Sequence, residues 1–194
     1  MSEKSDSKRK FIIEKATEVF ASKGFRSVTM KDIVEACQIS RGGLYLYYSS
    51  TEEIFKEVCQ AADEADADQK DISEFLSNAK ASELLLWFIK EQKKAILKRK
   101  LSLTAAKYEY AFYKKQNGDS KEAKSEFDTA VKVLTNILLR GNDDGEFDCM
   151  DPDATALSMM YAIEGMKACG ASFGLSEKKV DGELLYLMSQ FVES

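Results

Sequence analysis

The stretch Thr29 to Ile54, TMKDIVEACQISRGGLYLYYSSTEEI, decides the fold of this chain. Thr29 is a good helix N-cap, and Met30, Ile33, Val34 and Cys37 follow at helical spacing, which gives a short helix one apolar face. Gln38-Ile39 breaks that pattern, and Ser40 can cap a second short helix starting at Arg41. Two helices of about two turns each, joined by a 3–4-residue turn, make a helix-turn-helix. In that motif the N-terminal part of the second helix enters the DNA major groove. Arg41 stands there and can offer two donors to a guanine edge or a phosphate. Gly42 and Gly43 leave the helix surface bare. Tyr45, Tyr47 and Tyr48 follow, and a phenol is both a flat apolar surface and a phosphate donor. Glycines and tyrosines are poor choices for a short helix with a purely structural role.

The flanking residues extend the pattern. Phe11, Ile12, Ile13, Ala16, Val19 and Phe20 predict an opening helix that Gly24 ends as the residue after its C-cap. Lys8-Arg9-Lys10, near its start, is either a phosphate-reaching group or a solvated helix end. Ser49-Ser50-Thr51 followed by Glu52-Glu53 is an N-terminus signature with acids in the first turn. Ile54, Phe55, Val58 and Cys59 give that helix an apolar face. It is expected to run to about Asp68 and fade into the acidic stretch ADEADADQKD, which marks a boundary near residues 64–72.

Taken together, Gly24-Phe25, Thr29, the run from Ser40 to Tyr48, and Thr51-Glu52-Glu53-Ile54 make the chain resemble the TetR family of bacterial transcriptional repressors over about residues 8–56. The resemblance implies an all-α fold: a three-helix, helix-turn-helix DNA-binding domain over 1–56, then a larger helical ligand-binding and dimerisation domain over 57–194. It puts DNA contacts at Thr29 and Lys31 in the first helix of the motif and at Arg41, Gly43, Tyr45 and Tyr47 in the second. Ser40 and Gly42 complete that surface. Two positions depart from the family pattern. Gln38 stands where a turn glycine is usual and is expected to need a positive φ. Thr51 stands where a phosphate-binding lysine is frequent, so the contact is lost or passes to the hydroxyl.

Composition narrows the function. With 194 residues, 44% hydrophobic and 31% charged, one proline and ten glycines, the chain can bury a sizeable helical core. The net charge of −5 is unevenly distributed: residues 1–50 carry nine Lys/Arg against six Asp/Glu, the remainder nineteen against twenty-seven. Only the N-terminal segment suits a polyanion such as double-stranded DNA. There is no histidine, which removes imidazole as base or metal ligand and with it most hydrolase and zinc-enzyme readings. Cys37, Cys59, Cys149 and Cys169 are far apart and form no CxxC pair, as expected of core residues in a reducing compartment. No cofactor, metal or catalytic residue is expected. The longest apolar run, Leu84 to Ile89, is far short of the ~20 residues of a membrane span, and a cytoplasmic location follows.

Beyond the acidic stretch the chain is expected to be helical. Ser82 to Lys115 opens with LLLWFI and continues through a basic run, Lys90, Lys93, Lys94, Lys98, Arg99 and Lys100, whose common explanation is a solvated face. Asn117-Gly118 stops it, and Asp119 or Ser120 caps the next helix. That helix has a stripe from Ala123 through Phe127, Ala130, Val131, Leu134 and Ile137 to Leu138. Arg140 to Phe147 is expected to be a turn, with its glycine too early for a calcium loop. Asp151-Pro152 starts a helix that is apolar nearly all round, and a last helix spans about Ser176 to Val192. By the resemblance, these last two helices pair with a second copy through Ala162, Gly165 and Met166 and through Leu184, Leu187, Met188 and Phe191, with Gly170 as a further close-approach residue. The aromatics Trp87, Phe88, Tyr108, Tyr110, Phe112, Tyr113 and Phe127, with Met159 and Met160, predict an apolar site for a small hydrophobic effector. Glu109 among them points to a cationic one. The expected function is a homodimeric repressor released from a palindromic operator by that effector. The alternative is a regulator whose helical domain only dimerises or binds a protein partner.

Overall fold

The computed structural model describes residues 3–67, 78–98, 102–119 and 121–191, and these residues are helical with no strand among them. Part of the acidic stretch, Arg99 and Lys100 of the basic run, Ser120 and Val192 lie outside the described residues. The chain divides into two compact units, Met1–Gln69 with Lys100–Tyr113, and Lys70–Arg99 with Lys114–Ser194.

The first unit holds α1 (Glu3–Lys23), α2 (Met30–Cys37), α3 (Arg41–Tyr45) and α4 (Thr51–Ala67), together with most of α6 (Thr104–Gln116). The stripes read from the sequence are its core: Ile12, Ala16 and Phe20 of α1, Ile33 of α2, Leu44 of α3, and Ile54, Phe55 and Val58 of α4 are all fully buried. α4 joins this core through Ile54, Phe55, Val58, Cys59 and Ala62, and Leu103 and Ala106 join it too, so the unit extends beyond residue 56. Phe25 is its aromatic centre, with the rings of Phe55, Tyr110 and Tyr113 at 5.0, 4.9 and 5.3 Å. Gly24 does end α1: its φ is +78° and its N–H donates to the Phe20 carbonyl at 2.9 Å. A Cβ there would sit 2.5 Å from a Glu109 carboxylate oxygen, so both backbone sign and space require glycine.

The second unit is built from α5 (Ala81–Leu97), α7 (Lys121–Asp143), α8 (Pro152–Ser172) and α9 (Glu177–Met188). Leu85 and Phe88 of α5, Leu134 and Leu138 of α7, Met159, Met160 and Ile163 of α8, and Val180 and Leu184 of α9 share one core. The helix expected over Ser82–Lys115 is interrupted, because Lys98 takes an extended backbone (φ −64°, ψ 106°). α7 continues through Asp143, past the expected start of the turn at Arg140. Gly141 allows this: a Cβ there would lie 1.9 Å from the Phe147 ring, so the helix stays intact while the returning chain packs flat on it. Glu146 then accepts hydrogen bonds from the N–H groups of Ala81 (3.1 Å) and Ser82 (3.3 Å) and from the Ser82 hydroxyl, closing the start of α5. Those bonds, the Ser82 hydroxyl's first, hold its carboxyl below the ordinary range. As expected, Asp151 caps α8, accepting from Ala154 N–H at 3.0 Å, with Pro152 at the first helical position.

Candidate functional site

The helix-turn-helix begins with a complete capping box. The Thr29 hydroxyl accepts from Asp32 N–H at 3.3 Å and donates to Asp32 Oδ2 at 2.6 Å, and the Thr29 N–H donates to the same oxygen at 2.7 Å. Lys23 Nζ lies 2.6 Å from Asp32 Oδ1 and ties the end of α1 to the start of α2. The Lys23 hydrogen bond first, then those from Thr29, hold the Asp32 carboxyl far below its usual range. Thr29 thus uses its hydroxyl proton within the cap. Lys31 is exposed, with Glu35 its ion-pair neighbour at 3.7 Å. Gln38 adopts φ 52°, ψ 42°, the left-handed conformation expected from its place in the turn, and its N–H donates to the Glu35 carbonyl at 3.2 Å.

Ser40 caps α3 by accepting from Gly43 N–H at 3.0 Å. α3 is shorter than the spacing predicts, five residues, although the Tyr48 N–H still donates to the Leu44 carbonyl at 3.1 Å and both side chains are buried. Leu44 points into the core, whereas Arg41, Gly42, Tyr45 and Leu46 form one exposed arc. The Arg41 guanidinium lies 5.6 Å over the Tyr45 ring. A Cβ on Gly42 would meet nothing within 4 Å, and one on Gly43 would lie 3.1 Å from Ser40 Oγ. Tyr47 is half-buried and Tyr48 is buried. Ser50 accepts from Glu53 N–H at 3.2 Å at the start of α4, leaving Thr51 as its first, half-buried residue.

Beneath this arc is a polar network that the sequence reading missed. Arg9 Nη1 is 3.1 Å from Glu57 Oε1, and its Nη2 donates to the Tyr47 carbonyl at 3.1 Å. The Tyr48 hydroxyl donates to Glu57 Oε2 at 2.6 Å, and the Arg9 guanidinium lies 5.0 Å over the Tyr48 ring. Burial, and then the hydrogen bond to Glu57, push the Tyr48 phenol above its ordinary range. Arg9 therefore supports the end of α3 from α1. A signal was present: Arg9 precedes Ile12 and Ile13 by three and four residues, and Glu57 follows Ile54 by three. Both charges ride on otherwise buried stripes.

The residues assigned to one ligand site fall in different units. Phe88, Met159 and Met160 are buried in the second unit, with Trp87 and Phe127 packed against its core and Phe127 stacked on Tyr161 at 5.3 Å. Tyr108, Glu109 and Phe112 belong to the first unit, where Phe112 is 63% exposed. Glu109 Oε2 accepts the Arg26 backbone N–H at 2.9 Å, beside Gly24, and the Tyr110 hydroxyl donates to Glu52 Oε1 at 3.1 Å. These α6 residues brace the helix-turn-helix unit. Two polar atoms of the second unit, Gln92 Oε1 and Thr135 Oγ1, are buried without a hydrogen-bond partner.

Leu184 of α9 and Phe191 beyond its end are buried in the core of their own chain, and Met166 of α8 and Leu187 and Met188 of α9 pack against it. Ala162 is half-buried and Gly165 is exposed with nothing near its missing Cβ. Gly170 meets the Ile96 carbonyl, 2.6 Å from where a Cβ would be, so it serves the approach of α5 within the unit. The apolar side chains left in solvent are one position over: Leu185 and Tyr186 on α9, 62% and 63% exposed, and Leu157 and Tyr161 on α8. The basic run of α5 is engaged within the unit: Lys93 bridges Glu177 (2.8 Å) and Asp181 (2.6 Å) of α9, and Lys94 pairs with Glu91. Among the described residues no cysteine is in a disulfide, no three His, Cys, Asp or Glu side chains cluster as metal ligands, and no helix is long and apolar enough to cross a membrane.

Comparison with known proteins agrees with this arrangement. Residues 12–58 match the family model described as bacterial regulatory proteins, tetR family. The chain is 32% identical over 154 residues to the uncharacterised HTH-type transcriptional regulator YfiR of Bacillus subtilis (strain 168), covering 79% of this chain and 74% of that one. Its fold is that of a transcriptional regulator from Saccharomonospora viridis in complex with choline (TM-score 0.81, 18% identity, 97% and 100% of the two chains). The ketosteroid transcriptional regulator KstR2 of Mycobacterium tuberculosis also shares it (TM-score 0.69, 20% identity, 96% of each chain). With its capping box, its exposed Arg41–Leu46 arc and a relative matched over most of both lengths, the chain belongs to the TetR family of helix-turn-helix transcriptional regulators.

Proposed function

We propose that the chain is a homodimeric repressor that holds a palindromic operator through two copies of α3 and releases it when a small, uncharged, largely apolar molecule enters the second unit. The observation that carries the DNA-binding part is the exposed arc Arg41, Gly42, Tyr45 and Leu46, held from below by Leu44 and the Arg9–Glu57–Tyr48 network. A bare arc on a rigid support is what a groove-reading helix requires. Lys31 and Tyr47 beside it are suited to phosphates, which position the protein without reading bases.

Two features favour the rest. Leu157 and Tyr161 on α8 and Leu185 and Tyr186 on α9 keep apolar side chains in solvent, with Gly165 and Gly182 bare on the same helices, and a second copy would cover them. Gln92 Oε1 and Thr135 Oγ1 lie on the buried stripes of α5 and α7 with no partner. An unpaired buried polar atom costs about 1–3 kcal/mol, which an effector carrying a hydroxyl or amide would relieve. The cationic class anticipated from Glu109 loses its support, since that carboxylate accepts the Arg26 N–H in the first unit. Of the structural relatives, one is in complex with choline, a cation, and another is named for ketosteroids, which are uncharged. The second unit here favours the uncharged class.

The experiment is nuclease protection of promoter fragments, followed by titration of a hydroxylated steroid, a long-chain alcohol and choline while Trp87 fluorescence is read with and without the protected DNA. An uncharged probe is expected to release the DNA, and the DNA must weaken that probe by the same factor. Equal probe affinity in both titrations, or no release by any probe, gives the lead to a regulator whose helical domain only dimerises or binds a protein. Arg41→Ala is expected to lose about 1–3 kcal/mol of DNA binding.

A further inference from the structure

We infer that Leu46 is a sequence-reading residue of this regulator, making apolar contact with the C5 methyl group of a thymine in the major groove. The inference rests on the DNA-binding reading above and adds to it a base and a position. Leu46 is 83% exposed, the most exposed large apolar side chain among the described residues of the first unit. It continues the helical ladder of α3, with φ −68°, ψ −21° and its N–H donating to the Gly42 carbonyl at 3.2 Å. Its side chain therefore lies on the same exposed arc as Arg41, Gly42 and Tyr45. Gly42, four residues earlier, has nothing within 4 Å of its missing Cβ, so the arc is bare at the position one turn before Leu46.

The chemistry of the side chain selects the contact. Leucine has no donor or acceptor, so it can hold neither a phosphate oxygen nor the polar edge of a base. The apolar group that a base pair presents in the major groove is the thymine methyl. Arg41 and Tyr45 on the same arc carry polar groups and suit guanine edges and phosphates. An isobutyl group beside them, left in water in the free protein, gains by burying a methyl. Burial of one methyl(ene)-sized group supplies about 0.8 kcal/mol, which is roughly a fourfold preference per half-site.

The test uses the full-length chain and DNA it selects itself. Duplexes are enriched from a random-sequence pool, and each thymine of the enriched site is then replaced by deoxyuridine, which deletes the methyl and keeps the pairing. For the wild type, one thymine per half-site is expected to lose about three- to fivefold in affinity on this replacement. Leu46→Ala is expected to bind more weakly and to be indifferent to the same methyl. Leu46→Gln, selected against the same pool, is expected to move the preference at that position toward adenine, whose N6 and N7 a glutamine amide can meet. Since Leu46 is exposed, neither variant should alter the melting temperature. Equal deoxyuridine sensitivity in wild type and Leu46→Ala, or an unchanged thymine preference in Leu46→Gln, would overturn the assignment of Leu46 alone. Failure of the wild type to enrich any sequence would overturn the DNA-binding reading beneath it.

Discussion

In the first unit Arg9, Thr29, Asp32, Ser40 and Glu57 each end on a backbone group or on one another, whereas in the second unit Gln92 Oε1 and Thr135 Oγ1 are buried with no partner. The first arrangement fixes one geometry. The Thr29–Asp32 and Ser40 bonds cap helices, and the Arg9–Glu57–Tyr48 network ties the end of α3 to α1 and α4, so the exposed arc is held from beneath. The second is closed by apolar contact, and it keeps Tyr161, Leu185 and Tyr186 in solvent. The contrast teaches that a reader of DNA is made by satisfying polar groups internally. Among the described residues the second unit leaves two of them, and some apolar surface, unsatisfied.

The comparison can be broken most severely at the outer face. Leu185→Glu places a charge on an exposed position of α9, so the folded protomer should keep its melting temperature at low concentration. Dimerisation would bury that charge unpaired, at a cost of about 3–5 kcal/mol, and sedimentation should find monomers with little operator affinity. A dimeric Leu185→Glu would show that copies pair elsewhere.

A smaller effect is expected beneath α3. Glu57→Ala leaves the buried Tyr48 hydroxyl without its acceptor and Arg9 without its ion pair. The expected loss is about 2–3 kcal/mol of stability, with DNA binding reduced equally for all sequences, because position and not base reading is disturbed. Thermal melts with binding to several selected sites would check both. Sequence-dependent losses would mean that Glu57 acts on base contacts and not only on the mounting of α3.

The smallest effect has the opposite sign. Gln38 sits at φ 52°, where a residue with a Cβ is strained by about 1–2 kcal/mol and glycine is not. Gln38→Gly is expected to stabilise the first unit by about 1 kcal/mol, less the larger backbone entropy of glycine in the unfolded chain. A lower melting temperature for Gln38→Gly would show that the glutamine side chain makes a compensating contact.

Local chemistry explains which parts were legible. Thr29, Ser40, Gly24, Asp151-Pro152 and the left-handed Gln38 concern residues within a few positions of one another, and their geometry follows from backbone sterics and capping. The Arg9–Glu57 pair spans 48 residues, and only its placement on two apolar stripes hinted at it. Glu109 likewise meets a partner distant in sequence. Among aromatics on one helix it looked like a charge in a ligand site, but what it meets is the backbone N–H of Arg26, 83 residues away. The register of α9 was similarly hidden: Leu184, Leu185, Leu187 and Met188 are equally apolar, and nothing local says which of them the chain's own core takes.

By itself, then, the sequence determined the helical class and the helix-turn-helix with its caps and turn, because each is set by periodicity and short-range sterics; the surface expected to meet DNA was implied by the family resemblance and did not include Leu46. Tertiary structure alone decided that α6 braces the first unit, that Gly141 and Gly170 serve packing within the second, and that Leu185 and Tyr186 are the side chains left outside. The physical reason is that hydrophobicity states only that a side chain will be buried. Which neighbour buries it, in the same chain or in a second copy, depends on how helices distant in sequence fill space together.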